Sequence, residues 1–187
     1  MIISIDIDDV IFLTTVRLAK MAFKNCGKDY FPTRGWNFTN YPEDVRNEYW
    51  RLDSSEHLFA GGLCHKDIPY HLNGLLKNPH YRVVFITGRE ASQIDGTVRQ
   101  FRKHGMNVKK KMIHAVGKVK SKIDVIMDVN ALLHIDDAPR HVNDCIEHGI
   151  GAVLITNDCT PQNHCSRGRL PESPDLIHAL CANGFAR

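Results

Sequence analysis

The sequence predicts an α/β protein: a three-layer, Rossmann-like parallel sheet between helices, with a small helical cap inserted after the first strand. Three observations predict it. Short, continuously apolar runs alternate with longer segments of helical periodicity, as expected of strands buried on both faces and joined by crossover helices. Turn signals close these segments at regular distances. The gap between the first two runs, residues 11 to 80, is far longer than one crossover requires.

The first strand is Ile2 to Asp6. In the long gap, Val16, Ala19 and Phe23 recur at helical spacing ahead of Gly27, a second helix covers Pro42 to Leu52, and Ile68, Leu72 and Leu75 give a third. These three helices are expected to form the cap, residues 13–77, leaving 1–12 and 78–187 as the core. The second strand, Arg82 to Thr87, leads into a helix carrying Ile94, Val98 and Phe101, which Gly105 closes. A third strand, less apolar than the others, spans Lys111 to His114. A helix opening at Lys122 contains Ile123 and Ile126. Leu132 to Asp136 is the fourth strand, and Val142, Cys145 and Ile146 mark a helix ending before Gly149. Ala152 to Thr156 is the fifth strand, residues 157–172 read as a loop, and a last helix is expected to start at Ser173, with Ser173 as cap and Pro174 at its first position.

Composition narrows the function classes. The 187 residues suit one well-buried domain with an insertion. No apolar run approaches the ~20 residues a bilayer-spanning helix needs, so no membrane contact is expected. The opening "MIISI" lacks a secretory pattern and the six cysteines form no CxxC pair, which together favour reduced thiols and a cytoplasmic location. A formal charge of +3 is a weak lean toward anionic partners.

Ligands of open α/β sheets bind beyond the carboxyl ends of the strands. There the first strand delivers Asp6, Asp8 and Asp9 of "ISIDIDDV", the second delivers Thr87, Gly88 and Arg89 of "VVFITGR", and the fourth delivers Asp136 and Asp137 of "LHIDDAP". Carboxylates crowded in a dry site raise one another's pKa unless a cation neutralises them. Mg²⁺ suits the pattern, because it takes oxygen ligands and is commonly held by one or two carboxylates plus a substrate phosphate.

These segments, with the lysine-rich "GKVKSKID", stand in the order and spacing of the four motifs of haloacid dehalogenase-like phosphohydrolases, and the resemblance runs from Ile2 to about Thr156. It implies Asp6 as nucleophile, forming an aspartyl-phosphate, and Asp8 as the acid and base for the leaving oxygen and for water. It further implies Thr87 as a hydrogen-bond donor to the phosphoryl oxygens. Asp136 would hold Mg²⁺ with Asp6 and the Asp8 backbone carbonyl, and Asp137 would support the metal waters. Lys118, Lys120 and Lys122 are all candidates for the charge-offsetting lysine; Lys122 is favoured because it opens a helix, with Lys120 next.

The first motif departs from the family's commonest form, which has glycine at the place of Asp9. Valine at position 10 and a cap directly after the first motif look like the 5'(3')-deoxyribonucleotidase branch and its small bacterial and phage relatives. That likeness implies a small phosphomonoester substrate, with a 5'-(deoxy)nucleotide favoured. Phe12, Trp36, Phe38, Tyr41 and Trp50 are then the aromatics available to stack on a base, with Gly88 and Arg89 beside the phosphate. Sugar phosphates or nucleic-acid 3'-phosphate ends are the alternative substrates, and a phosphate- or metal-sensing module is the alternative outside catalysis. Nucleic acid is the less favoured partner: the lysines of "VKKKM" at a strand edge read as edge protection. Each motif alone has an ordinary explanation as a turn, a helix cap or a solvated helix start; the four together do not. Cys159, His164 and Cys165 match no common zinc spacing.

Overall fold

The computed structural model describes residues 1–31, 40–55, 62–64, 66–117, 120–156 and 171–185. In chain order the elements are β1 (Ile2–Ile5), α1 (Thr14–Asn25), α2 (Glu43–Asp53), α3 (Ile68–Lys77), β2 (Arg82–Thr87), α4 (Ile94–Lys103), β3 (Ile113–Ala115), α5 (Lys122–Asp128), β4 (Leu133–Asp136), α6 (Pro139–Glu147), β5 (Gly151–Ile155), β6 (Glu172–Ser173) and α7 (Leu176–Ala182). The strands form one parallel sheet in the order β3-β2-β1-β4-β5-β6.

The sheet is apolar on both faces, so it needs helices on both. Ile3, Ile5 and Phe85 point into one layer with Ile68 and Leu72 of α3, Phe101 of α4 and Leu180 of α7. Val84, Ile86 and Leu154 alternate to the other face, against Ile126 of α5 and Val142 of α6. Fully burying side chains of this size contributes roughly 1.5–3 kcal/mol each, which is why the strand runs read as unbroken apolar sequence.

The inserted helices divide differently from expectation. Leu18 and Phe23 of α1 pack with Val45, Tyr49 and Leu52 of α2 into a separate cluster. Ile68, Leu72 and Leu75 of α3 lie instead in the sheet's own core. Within the expected cap of residues 13–77, α1 and α2 thus share one cluster, while α3, which leads the chain into β2, lays its apolar stripe on the sheet.

Three further expectations change. The third strand starts at Ile113, because Lys110–Met112 form a 3-10 turn. Ser173 belongs to a short edge strand, β6, and α7 begins at Leu176 with Asp175 as its cap, accepting from the His178 backbone N–H at 2.9 Å. Phe12 is fully buried, 5.0 Å from the ring of Phe101 and 5.5 Å from that of His104, and packs in the core of the sheet.

Candidate active site

The sheet order fixes where a site can form. From β1 the chain runs outward through β2 and β3, then crosses back to lay β4 on the other side of β1, so connections diverge at the carboxyl ends of β1 and β4. Ile5 pairs with Ile135 in register, and the Asp6 backbone N–H donates to the Ile135 carbonyl at 2.8 Å. Asp6 and Asp136 thereby leave neighbouring strands side by side.

Carboxylate oxygens of Asp6, Asp136 and Asp137 all lie within 4.8 Å of one another, and all three residues are buried. Lys122, at the start of α5, sits between two of them, its Nζ 2.8 Å from Asp6 Oδ1 and 2.8 Å from Asp136 Oδ2. Apart from this ion pair with Lys122, the buried Asp6 Oδ1 has no partner among the described residues. Burial would lower the Lys122 pKa, but Asp136 and Asp6 more than reverse this and raise it.

Asp136 is the most heavily supported of the acids. Its Oδ2 accepts from Lys122 and from His134 Nε2 at 2.9 Å, and lies 3.1 Å from His141 Nδ1; its Oδ1 accepts from the Ala138 backbone N–H at 2.8 Å. Burial alone would raise its pKa, but Lys122 and the two histidines hold it well below the usual carboxylate range. His134 is itself fully buried, which lowers its pKa. A neutral ring must then carry its proton on Nε2, facing the carboxylate, and accept from the Ser4 hydroxyl at Nδ1, 2.9 Å away. Asp6, by contrast, is pushed up to about 7 by burial, which Lys122 only partly offsets and to which Asp136 and Asp8 add. Asp137 is raised well above its ordinary value by burial and by Asp136, Asp9 and Asp6.

Asp8 stands apart, clamped from β2. Arg89 donates through Nε to Asp8 Oδ2 at 2.9 Å and through Nη2 to Oδ1 at 2.6 Å, while its Nη1 reaches Thr97 and Gln100 at 2.8 and 3.0 Å. Thr14 donates to Asp8 Oδ1 at 2.5 Å and Thr87 to Oδ2 at 3.4 Å. Burial raises the Asp8 pKa, but the guanidinium and Thr14 outweigh it and lower it. Arg89 is thus a buried partner of Asp8, its guanidinium held by four acceptors.

Asp9 has a backbone φ of 58°, in the left-handed region where glycine is favoured. Asp is among the few side chains that tolerate the conformation. Its carboxylate then caps α1, accepting from the Thr15 backbone N–H at 3.0 Å and from the Thr15 hydroxyl.

Three adjoining cavities open over this frame. One of about 400 Å³ is lined by Asp6, Asp8, Lys122, Asp136 and Asp137. A second of about 410 Å³ lies between Thr14, Asp53 and Ser54 of the inserted helices and Arg89, Glu90 and Gln93 of the core. The third, about 580 Å³, is lined by Lys120, Lys122, Arg140 and His141. Gly88 and Arg140 border all three. A larger groove of about 860 Å³ along α4 contains none of the clustered acids. Of the remaining expectations, Lys120 lines the third cavity, while Trp36, Phe38, Lys118 and the Cys159/His164/Cys165 loop lie outside the described residues.

Sequence reasoning missed Ser4, Thr14, His134, Arg140 and His141. His134 had a signal: it lies two residues before Asp136 on a strand, hence on the same side of the pleat. His141 and Arg140 had a fainter one, standing in the first turn of a helix that starts directly after the acids.

No family model matches the sequence, and no curated protein matches it. Solved structures do match. A haloacid dehalogenase-like hydrolase from Streptococcus pneumoniae is 12% identical over 97% of both chains, with a TM-score of 0.62. A haloacid dehalogenase-family hydrolase from Deinococcus radiodurans, solved with bound phosphate and sodium, is 12% identical over 98% of this chain and 96% of its own, with a TM-score of 0.59. A haloacid dehalogenase-like protein from Agrobacterium tumefaciens is 8% identical over 97% of both chains, with a TM-score of 0.60. At such identities the likeness concerns the fold: this chain adopts the Rossmann-like fold of the haloacid dehalogenase-like hydrolases.

Proposed function

We propose that the protein is a Mg²⁺-dependent phosphomonoesterase that acts on a small phosphorylated molecule through an aspartyl-phosphate at Asp6. The observation that carries this reading is the meeting of Asp6, Asp136 and Asp137 at the switch point of the sheet, with Lys122 bridging two of them. A binding module has no evident need for a buried nucleophile with a second acid two residues on.

The donor set fits a hard divalent cation: three carboxylates and no sulfur, with Asp6 Oδ1 buried and without a hydrogen bond. Asp6, Asp136 and Asp137 would hold it, together with the Asp8 backbone carbonyl. Bound there, Mg²⁺ would offset the charge of the acids and of the transferring phosphoryl group.

The chain's own residues divide the remaining work. Asp6 Oδ attacks phosphorus and the P–O bond to the leaving group breaks, the Lys122 ammonium offsetting charge on the attacking side. The leaving oxygen takes a proton from Asp8, so Asp8 must part from Arg89 as substrate enters. In the second half Asp8, ionised by that transfer and still apart from Arg89, accepts a proton from the water that cleaves the phosphoaspartate, which restores its protonated form. Thr87, buried at the end of β2, supplies a hydroxyl to the phosphoryl oxygens.

The favoured nucleotide substrate draws no support from aromatic stacking among the described residues, because Phe12 and Tyr41 are buried and Trp50, though exposed, lines none of the three cavities over the acids. It is best treated as one arm of a substrate panel. Hydrolysis of an aryl phosphate, abolished by a chelator and restored by Mg²⁺, is the expected result; hydrolysis indifferent to chelation would overturn the metal assignment.

A further inference from the structure

The cavity over Asp6 continues into the one bordered by Lys120, and chemistry at the scissile phosphate makes no use of this extension. The two share Gly88, Lys122, Arg140 and His141. Because Lys122 is committed to Asp6 and Asp136, the cations left to the extension are Lys120 and Arg140, against one acid, Asp144.

Arg140 is the second residue of α6, which starts just after Asp136 and Asp137, and the first turn of α6 itself has no acidic residue. The side chain is exposed and anchored. Its Nε donates to His141 Nε2 at 3.1 Å, and His141 Nδ1 in turn faces Asp136 at 3.1–3.2 Å. One edge of the guanidinium is thus tied to the carboxylate frame of the site. Its two terminal nitrogens make no hydrogen bond among the described residues, and neither Arg140 nor Lys120 forms an ion pair there. A guanidinium held by Nε alone offers its remaining N–H groups to a planar or tetrahedral anion.

We propose that Arg140 and Lys120 form a subsite for a second anionic group on the substrate, a carboxylate or a further phosphate carried by the molecule whose phosphoester faces Asp6. The proposal rests on the phosphomonoesterase reading and narrows its substrate class: phosphoesters that carry a second anionic group are preferred over those of the same size that lack one. On this basis a nucleoside 3',5'-bisphosphate is a better substrate than the 5'-monophosphate, and 3-phosphoglycerate better than glycerol 3-phosphate.

The test compares the members of each pair. In the wild-type chain kcat/KM is expected to favour the doubly anionic member by about tenfold or more, mainly through KM. Arg140→Gln should bring the ratio toward one, Arg140→Lys should restore part of it, and Arg140→Glu should invert it, with unfolding curves showing that each variant folds. The carboxylate pair and the phosphate pair distinguish which anion the subsite takes. Calorimetric binding to the Asp6→Asn chain gives a second readout that needs no turnover, and the same ratio and the same Arg140 dependence are expected there. Absence of turnover on every member by the wild-type chain would refute the phosphomonoesterase reading. Preference ratios near one in binding, absence of binding by either member, or a ratio that Arg140→Gln leaves intact would refute the subsite.

Discussion

At the scale of single residues, the site is a problem of buried charge solved by one cation. Lys122 is the group that makes Asp6 and Asp136 tolerable beside each other, so its removal should be felt in folding as well as in chemistry. In metal-free protein, Lys122→Met is expected to cost about 3–5 kcal/mol of stability, the range for breaking a buried pair by removing one partner. Denaturant unfolding in the presence of a chelator measures it, and a loss under about 1 kcal/mol would mean that the carboxylates are neutralised by protons instead. Asp8→Asn leaves no acid or base two residues from the nucleophile and should lower kcat by roughly 10²–10⁴-fold; steady-state kinetics on an aryl phosphate with a good leaving group and one with a poor one should show the larger loss for the poor one.

At the scale of elements, the turn between β1 and α1 decides how the acids are presented. Its left-handed residue, Asp9, combines a backbone conformation suited to glycine with a side chain that caps the next helix. Asp9→Ala loses the cap and keeps the strain, whereas Asp9→Gly loses the cap and relieves the strain. The glycine variant should therefore be the more stable of the two by about 1 kcal/mol, a difference that thermal unfolding of the pair resolves; equal stabilities would show that the φ of 58° stores no strain. This turn also shows what was legible in sequence. The strands β1, β2, β4 and β5 announced themselves because both faces are buried, and the acids at their ends could be read from position alone. The membership of α3 could not, since an apolar stripe does not say which surface it covers. Nor could the Arg89 clamp on Asp8, because a bidentate pair between residues 81 apart in sequence depends on the turn geometry of both strand ends. The short β6 was hidden in a segment with the composition of a loop.

At the scale of the whole molecule, stability, pH and metal are linked through the same carboxylates. Asp6 is raised from 3.8 to about 7, so between those pH values the folded chain holds a proton that the unfolded chain has released. The metal-free protein should lose stability from this group as pH rises through that window. Asp8 and Asp136, held below their ordinary value, act with the opposite sign: their contribution is present above about pH 4 and is lost on acidification. A cation bound at Asp6, as proposed, would displace its proton, so the gain in Tm on adding Mg²⁺ should be larger near pH 8 than near pH 6. Calorimetry at the two pH values, with chelator and with Mg²⁺, measures this; a gain no larger near pH 8 would place the cation away from Asp6. All of these expectations meet at one atom, the carboxylate oxygen of Asp6 proposed to take the phosphoryl group. Rapid acid quench during turnover of an aryl phosphate, followed by peptide mass spectrometry, looks at that atom directly. One phosphoryl group on the peptide containing Asp6, absent from the Asp6→Asn chain, is the expected result. Product release with that peptide unmodified at every quench time, or undiminished turnover by Asp6→Asn, would contradict it.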